Sequence, residues 1–200
     1  MEKPADTNYS LHDPIQRRWS PRSFIDRPVE KDDLYRLFEA ARWASSCFNE
    51  QPWYFIVATK DTPQEYQRML SCLVDGNQEW AKLAPVLMLT VAKSTFDHNG
   101  KGNPHAWHDV GLAVGNLVIQ ATVLGLSLHQ MAGILPDRIR EVYGVPQGFD
   151  PVTGLALGYM GDPNLLSEEL AERERAPRTR KPLEGFVFTG KWGNASSIVK

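Results

Sequence analysis

Arg18-Trp-Ser-Pro-Arg22 places two guanidinium groups and a hydroxyl within one short turn. Proline favours a turn there by fixing φ, and arginine's planar fork donates paired hydrogen bonds that match a phosphate. The segment reads as a compact anion grip or, on charge alone, as a solvated basic edge before a helix. Arg178-Thr-Arg180-Lys181 offers the same choice. It is a second phosphate clamp, or a basic stretch balancing Glu168, Glu169, Glu172 and Glu174 on a helix surface.

Two further segments could meet a flat, polar ligand. Ala44-Ser-Ser-Cys-Phe-Asn-Glu-Gln-Pro-Trp53 joins the end of a helix to the start of a strand, and such junctions present side-chain and backbone donors. It reads equally as a helix cap plus a turn. Met131-Ala132-Gly133 puts small residues after a strand, where a ring can approach the backbone; the plain alternative is a turn. His98, His105 and His108 crowd together with Asp97 and Asp109, but His105-x-x-His108 lacks a matching second pair. We expect no metal there, and read His105 and Trp107 as residues facing a substrate.

Other motifs are missing. The chain has no GxGxxG, no GxxxxGK[ST], no GxSxG and no HExxH. If it is an enzyme, a bound cofactor carries the difficult chemistry.

The elements that must position these residues follow from periodicity. Leu34, Leu37, Phe38 and Ala41 share one face of a helix that starts at Lys31 and ends near 44–46. Residues 53–58 read as a strand, Thr62-Pro63 as a capped helix start, and 85–92 as a strand buried on both faces. Residues 94–108 show no period and read as a mobile loop. Asp109 to Gly125 is apolar nearly all round, so it should be buried, either inside one chain or against a second copy. A 200-residue domain has little room to surround such a helix, which favours the second copy. A short strand over 127–133, a helix from Pro136 stopped by Gly144, and a strand over 151–159 complete the pattern. The tail is charged from Glu168 to Lys181, then apolar at Phe186-Val187-Phe188, as if it packs on something. Strands separated by helices, with few clear parallel crossovers, indicate an α+β fold.

The length fits one domain, 1–200. A net charge of −2 supplies no field for nucleic acid or an anionic membrane, so neither is expected as a partner. Cys47 and Cys72 lack redox or metal spacing and read as free thiols. With no apolar leader and no spanning stretch, we expect a cytoplasmic protein.

Taken in order, these segments resemble the nitroreductase family of FMN oxidoreductases over nearly the whole chain. The resemblance is carried by Arg18-x-Ser-x-Arg22, by Ser45-Ser46 with Asn49-x-Gln-Pro-Trp53, by Asp109-Val-Gly-Leu-Ala-Val-Gly-Asn116, and by Pro151 with Ala-Leu-Gly-Tyr159-x-Gly-Asp162. It implies a homodimeric three-layer α-β-α fold with a mainly antiparallel central sheet. It also implies an FMN-dependent enzyme that takes electrons from NADH or NADPH and reduces nitroaromatic, quinone or similar acceptors by a ping-pong mechanism, with no protein general acid. A dehalogenating or flavin-fragmenting enzyme of the same fold, or a non-catalytic flavin-binding protein, is the alternative.

By the same resemblance, Arg18, Ser20 and Arg22 would hold the phosphate and the polar ring edge, with Trp19 contributing backbone. Ser45, Ser46 and Asn49 would reach the flavin of the other subunit. Asn77 would lie near the pyrimidine edge, Met131, Ala132 and Gly133 at the ring, and Arg178 and Arg180 at the phosphate. Phe48 and Trp80 depart from the family pattern. Phe48 either lines the acceptor cavity or packs as core under the helix end. Trp80 stands where some relatives carry a lysine.

Overall fold

A computed structural model describes residues 2–199. Four strands form one sheet: β1 (Trp53–Thr59), β2 (Val86–Lys93), β3 (Ser127–Met131) and β4 (Phe149–Gly158). The order is β1-β2-β4-β3, and every neighbouring pair is antiparallel. β2 is central and buried along its length up to Lys93. Side chains alternate across a strand, so β2 feeds two cores. Leu87 and Leu89 point to one, and Val86 and Met88 to the other.

Helices cover each core, giving three layers. On one face lie α3 (Pro63–Leu70), α4 (Asp75–Ala81) and α6 (Pro136–Tyr143), contributing Tyr66, Met69, Trp80 and Ile139. On the other lie α2 (Lys31–Arg42) and α5 (Ala106–Val123), contributing Leu37, Ala41, Val110, Val114 and Leu117. A short α1 (Asp13–Arg17) precedes them, and α7 (Glu168–Arg175) follows the sheet. No helix among the described residues is long and apolar enough to cross a membrane.

Several expectations need correction. The long helix starts at Ala106, before Asp109, and buries one stripe: Ala106, Asp109, Val110, Ala113, Val114, Leu117, Val118, Ala121 and Thr122. Its other face, with Trp107, Gly111, Leu112 and Asn116, is open in the single chain. A helix lying on a sheet can bury only the side that faces it. Residues 94–105 form the expected loop, pinned by an isolated bridge, whereas 106–108 already belong to α5. Thr95 bridges Gly102, and Phe96 N–H donates to Lys101 O at 2.8 Å. Thr62 precedes α3, but its hydroxyl makes no cap; its carbonyl takes the Tyr66 N–H at 3.0 Å. Gly144 does stop α6, in the left-handed conformation at φ 63°. The apolar tail folds into its own small hairpin, where Phe188 meets Trp192 and bridges Ala195. Trp192 stays 94% exposed, so its ring is not covered by its own chain.

Candidate functional site

The turn from Arg18 to Arg22 links α1 to the end of the sheet, where Phe24 bridges Met160 just beyond β4. Its shape is held by side chains from distant elements. Arg18 Nη1 donates to Ser20 Oγ at 3.2 Å. His129, on β3, donates from Nδ1 to Pro21 O at 3.0 Å and stacks tilted on the buried Trp80 at 4.5 Å. Burial, helped by the charges of Arg22 and Arg18, pushes the His129 imidazole down to about 4, against the opposing pull of the Pro21 carbonyl. The ring is therefore neutral and serves as a fixed donor. Trp80 belongs to the core and lies behind this turn.

Arg178 and Arg180 come back to the same place. Burial and then the charges of Arg178 and Arg180 weaken the hold of Arg18 on its proton; burial and Arg180 do the same to Arg178. Three guanidiniums thus share one neighbourhood. Among the described residues none of the three pairs with a carboxylate. Arg178 Nη1 donates to Lys3 O and, at 3.4 Å, to Gln16 O. Lys3 Nζ lies 4.9 Å over the half-buried Trp19 ring. Arg22 is held differently: its guanidinium sits 3.8 Å from the Glu174 carboxylate.

The Ser45–Trp53 junction is a strained turn. Phe48, Asn49 and Gln51 all have positive φ, at 54°, 56° and 53°. Non-glycine residues hold this conformation only where surroundings over-determine it. Here Ser46 does so locally: its Oγ accepts the Gln51 N–H at 3.0 Å and its carbonyl accepts the Asn49 N–H at 3.1 Å. Asp109, buried on α5, accepts the Cys47 N–H at 2.9 Å. Ser45 and Asn49 are exposed. Phe48 is 79% exposed, which rules out packing as core under the helix end. It meets Phe96 and His98 edge-on, each at 5.8 Å. His98 also faces the Glu50 carboxylate at 3.7 Å, and the Glu50 Oε1 accepts the Asp97 N–H at 2.5 Å.

Two other predicted residues meet directly. Asn77 Nδ2 donates to Gly133 O at 3.0 Å, and the Val74 N–H donates to the same oxygen at 3.1 Å. Ala132 is exposed beside them, whereas the Met131 side chain lies in the core, so only its backbone is left for the site. His105 and Trp107 are exposed at the start of α5.

These groups do not converge within one chain. The Ser45–Trp53 junction adjoins Trp53, which pairs with Ala92, and next to it Lys93 pairs with Phe149 at the start of β4. The arginine turn lies at the other end of β4, where Gly158 pairs with Ser127. α5 spans the same interval. Asp109 touches the junction, and Thr122 lines a cavity of about 230 Å³ with Arg18 and Trp19. An eighteen-residue helix is roughly 27 Å long.

Sequence reasoning missed two residues that shape this region, His129 and Glu174. His129 sits on a short strand with no local motif. Glu174 looked like one of four surface glutamates.

Comparison with known proteins agrees with the fold. The model of the nitroreductase family matches residues 15–159. A crystal structure of an oxidoreductase containing FMN superposes with a TM-score of 0.89 at 38% identity, covering 94% of this chain and 96% of that one. A 15.4 kDa protein of Mycolicibacterium smegmatis is 37% identical over 134 residues, covering 67% of this chain and 89% of that protein. The FMN reductase [NAD(P)H] of Bacillus subtilis is 26% identical over 160 residues, covering 72% of this chain and 63% of that protein. With its three-layer fold matched and its motifs in place, this chain is a member of the nitroreductase family.

Proposed function

We propose that this NAD(P)H-dependent flavin oxidoreductase, with FMN as its cofactor, works as a cytoplasmic homodimer. It reduces nitroaromatic, quinone or similar flat acceptors by a ping-pong mechanism. The observation that carries the reading is the convergence of Arg18, Arg178 and Arg180 with no carboxylate partner among the described residues. Like charges gathered without a counter-ion repel one another, and a phosphate dianion relieves that repulsion while taking their paired hydrogen bonds. The donor set therefore fits FMN.

Bound FMN supplies the redox chemistry, accepting two electrons from the nicotinamide and delivering them to the acceptor. The protein binds and orients. Arg18, Arg178 and Arg180 hold the phosphate, with Ser20, Arg22 and the Trp19 backbone beside them. Asn77, Ala132, Gly133 and the Met131 backbone meet the ring and its polar edge. No side chain is assigned a proton transfer.

The second copy follows from the length of α5. One chain places the arginine turn and the Ser45–Asn49 junction at opposite ends of this helix. Two copies packed with their α5 helices antiparallel bring the junction of one against the turn of the other. The open face of α5, with Gly111, Leu112 and Asn116, and the exposed Tyr35 and Trp43 of the neighbouring α2 segment suit that packing. Ser45, Ser46, Asn49, Phe48, His105 and Trp107 then belong to the partner's site, with Phe48 over the acceptor. The whole chain, 1–200, acts as one FMN-binding domain.

The test is an absorbance spectrum of the purified protein, followed by anaerobic addition of NADH or NADPH and then of an acceptor. Yellow colour that bleaches with nicotinamide and returns with a quinone or nitroarene is expected. Colourless protein that fails to take up added FMN overturns the reading. A stable, FMN-loaded monomer in light scattering overturns the dimer.

A further inference from the structure

We propose that Glu174 is the positioning residue of the arginine grip, an inference that rests on the FMN reading above. On α7 it is one of several glutamates, yet it is only 1% exposed. A buried carboxylate is costly unless it is well partnered. Its Oε1 accepts two successive backbone N–H groups, from Arg22 at 2.8 Å and Ser23 at 3.2 Å. Its Oε2 is buried and lies 3.8 Å from Arg22 Nη1.

The same residue anchors the other arginine segment. The Glu174 carbonyl accepts from Lys3 Nζ at 2.6 Å, and Lys3 Nζ also reaches Ala176 O. The Lys3 carbonyl in turn accepts from Arg178. One side chain and its own backbone thus join the end of the Arg18–Arg22 turn to the segment that carries Arg178 and Arg180. His129 also holds the turn, through Pro21 O. By drawing the Arg22 guanidinium toward α7, Glu174 leaves Arg18, Arg178 and Arg180 as the charges that meet the phosphate.

The sign of the effect separates this role from simple electrostatics. A carboxylate near a phosphate site repels the ligand, so neutralising it should tighten FMN. A positioning carboxylate does the reverse. The experiment compares dissociation constants for FMN and for riboflavin, which lacks the phosphate, in full-length wild type, E174A and E174Q. We expect E174A to weaken FMN about tenfold or more, as for a lost hydrogen bond to a charged group. Riboflavin should change by less than about threefold, a shift of roughly 0.6 kcal/mol.

E174Q keeps an oxygen for the two N–H groups but loses the charge facing Arg22, so its FMN-to-riboflavin ratio should fall between the two. If E174A does not fold, E174Q decides alone. Tighter FMN, or an unchanged FMN-to-riboflavin ratio, in a folded variant overturns the role of Glu174. A wild type that binds no FMN overturns the cofactor reading itself, a result distinct from these two.

Discussion

The carboxylate of Asp109, buried in the first turn of α5, accepts the backbone N–H of Cys47 at 2.9 Å and so ties the strained Ser45–Trp53 junction to the longest helix. Its other oxygen faces His108 Nδ1 at 3.0 Å. Removing it leaves a partly buried N–H unsatisfied beside a turn with three positive φ values. We expect D109A to cost about 2–3 kcal/mol, the value of a hydrogen bond to a charged group. In a chain of this size that is a fall in Tm of roughly 4–12 °C. D109N, which retains an acceptor, should lose less than half as much. An unchanged Tm in D109A would mean that the junction is held by other contacts.

Phe48 combines exposure with a left-handed backbone, so its substitutions separate strain from function. The conformation costs about 1–2 kcal/mol for an L-residue and nothing comparable for glycine. We expect F48A to leave Tm nearly unchanged, because the ring is 79% exposed. F48G should be at least as stable as F48A. In steady-state assays both should alter the ratio of kcat/KM for a bulky and a small acceptor while reduction by nicotinamide keeps its rate. A large fall in Tm with unchanged selectivity would contradict the placement of this ring at the acceptor.

A side chain at Gly133 would force its neighbours to move. A Cβ there would lie 2.6 Å from Asn77 Nδ2 and 2.7 Å from Val74 Cγ2. G133A must therefore displace the Asn77 amide from the Gly133 carbonyl. Overpacking of this kind typically costs about 1–3 kcal/mol, measurable by urea denaturation. FMN affinity should fall with it, since both residues are assigned to the ring. A G133A protein with wild-type stability and affinity would remove this segment from the site.

His129 makes stability depend on pH. Its folded pKa is about 4, below the ordinary 6.5, because of burial. Between these values the unfolded chain binds a proton that the folded chain refuses. Stability is thus complete above about pH 6.5, declines as pH falls toward 4, and levels off below. The full effect is on the order of 3 kcal/mol. H129N keeps a donor for Pro21 O and cannot titrate, so its stability should fall less than that of wild type across this window. Parallel curves for the two proteins would show that His129 is not the source of the slope.

Local sequence determined most of the elements. The density of β-branched and aromatic residues at 53–59 and the unbroken apolar run of β2 specify strands, because both patterns suit a pleated surface buried on one or two faces. Gly144 ends α6 because a left-handed residue is needed there. The short spacing of Arg18, Ser20 and Arg22 marks them as a candidate anion grip. What tertiary structure alone decided is which distant groups complete it. Arg178 joins Arg18 only after α7 folds back, and Glu174 becomes buried only because the Arg22–Ser23 backbone is brought to it. Helical periodicity cannot distinguish a solvated glutamate from one held by two backbone N–H groups across 152 residues of chain. The apolar circumference of α5 was equally ambiguous. Its sequence records every surface that excludes water, and only the fold shows that one of those surfaces is left open by its own chain.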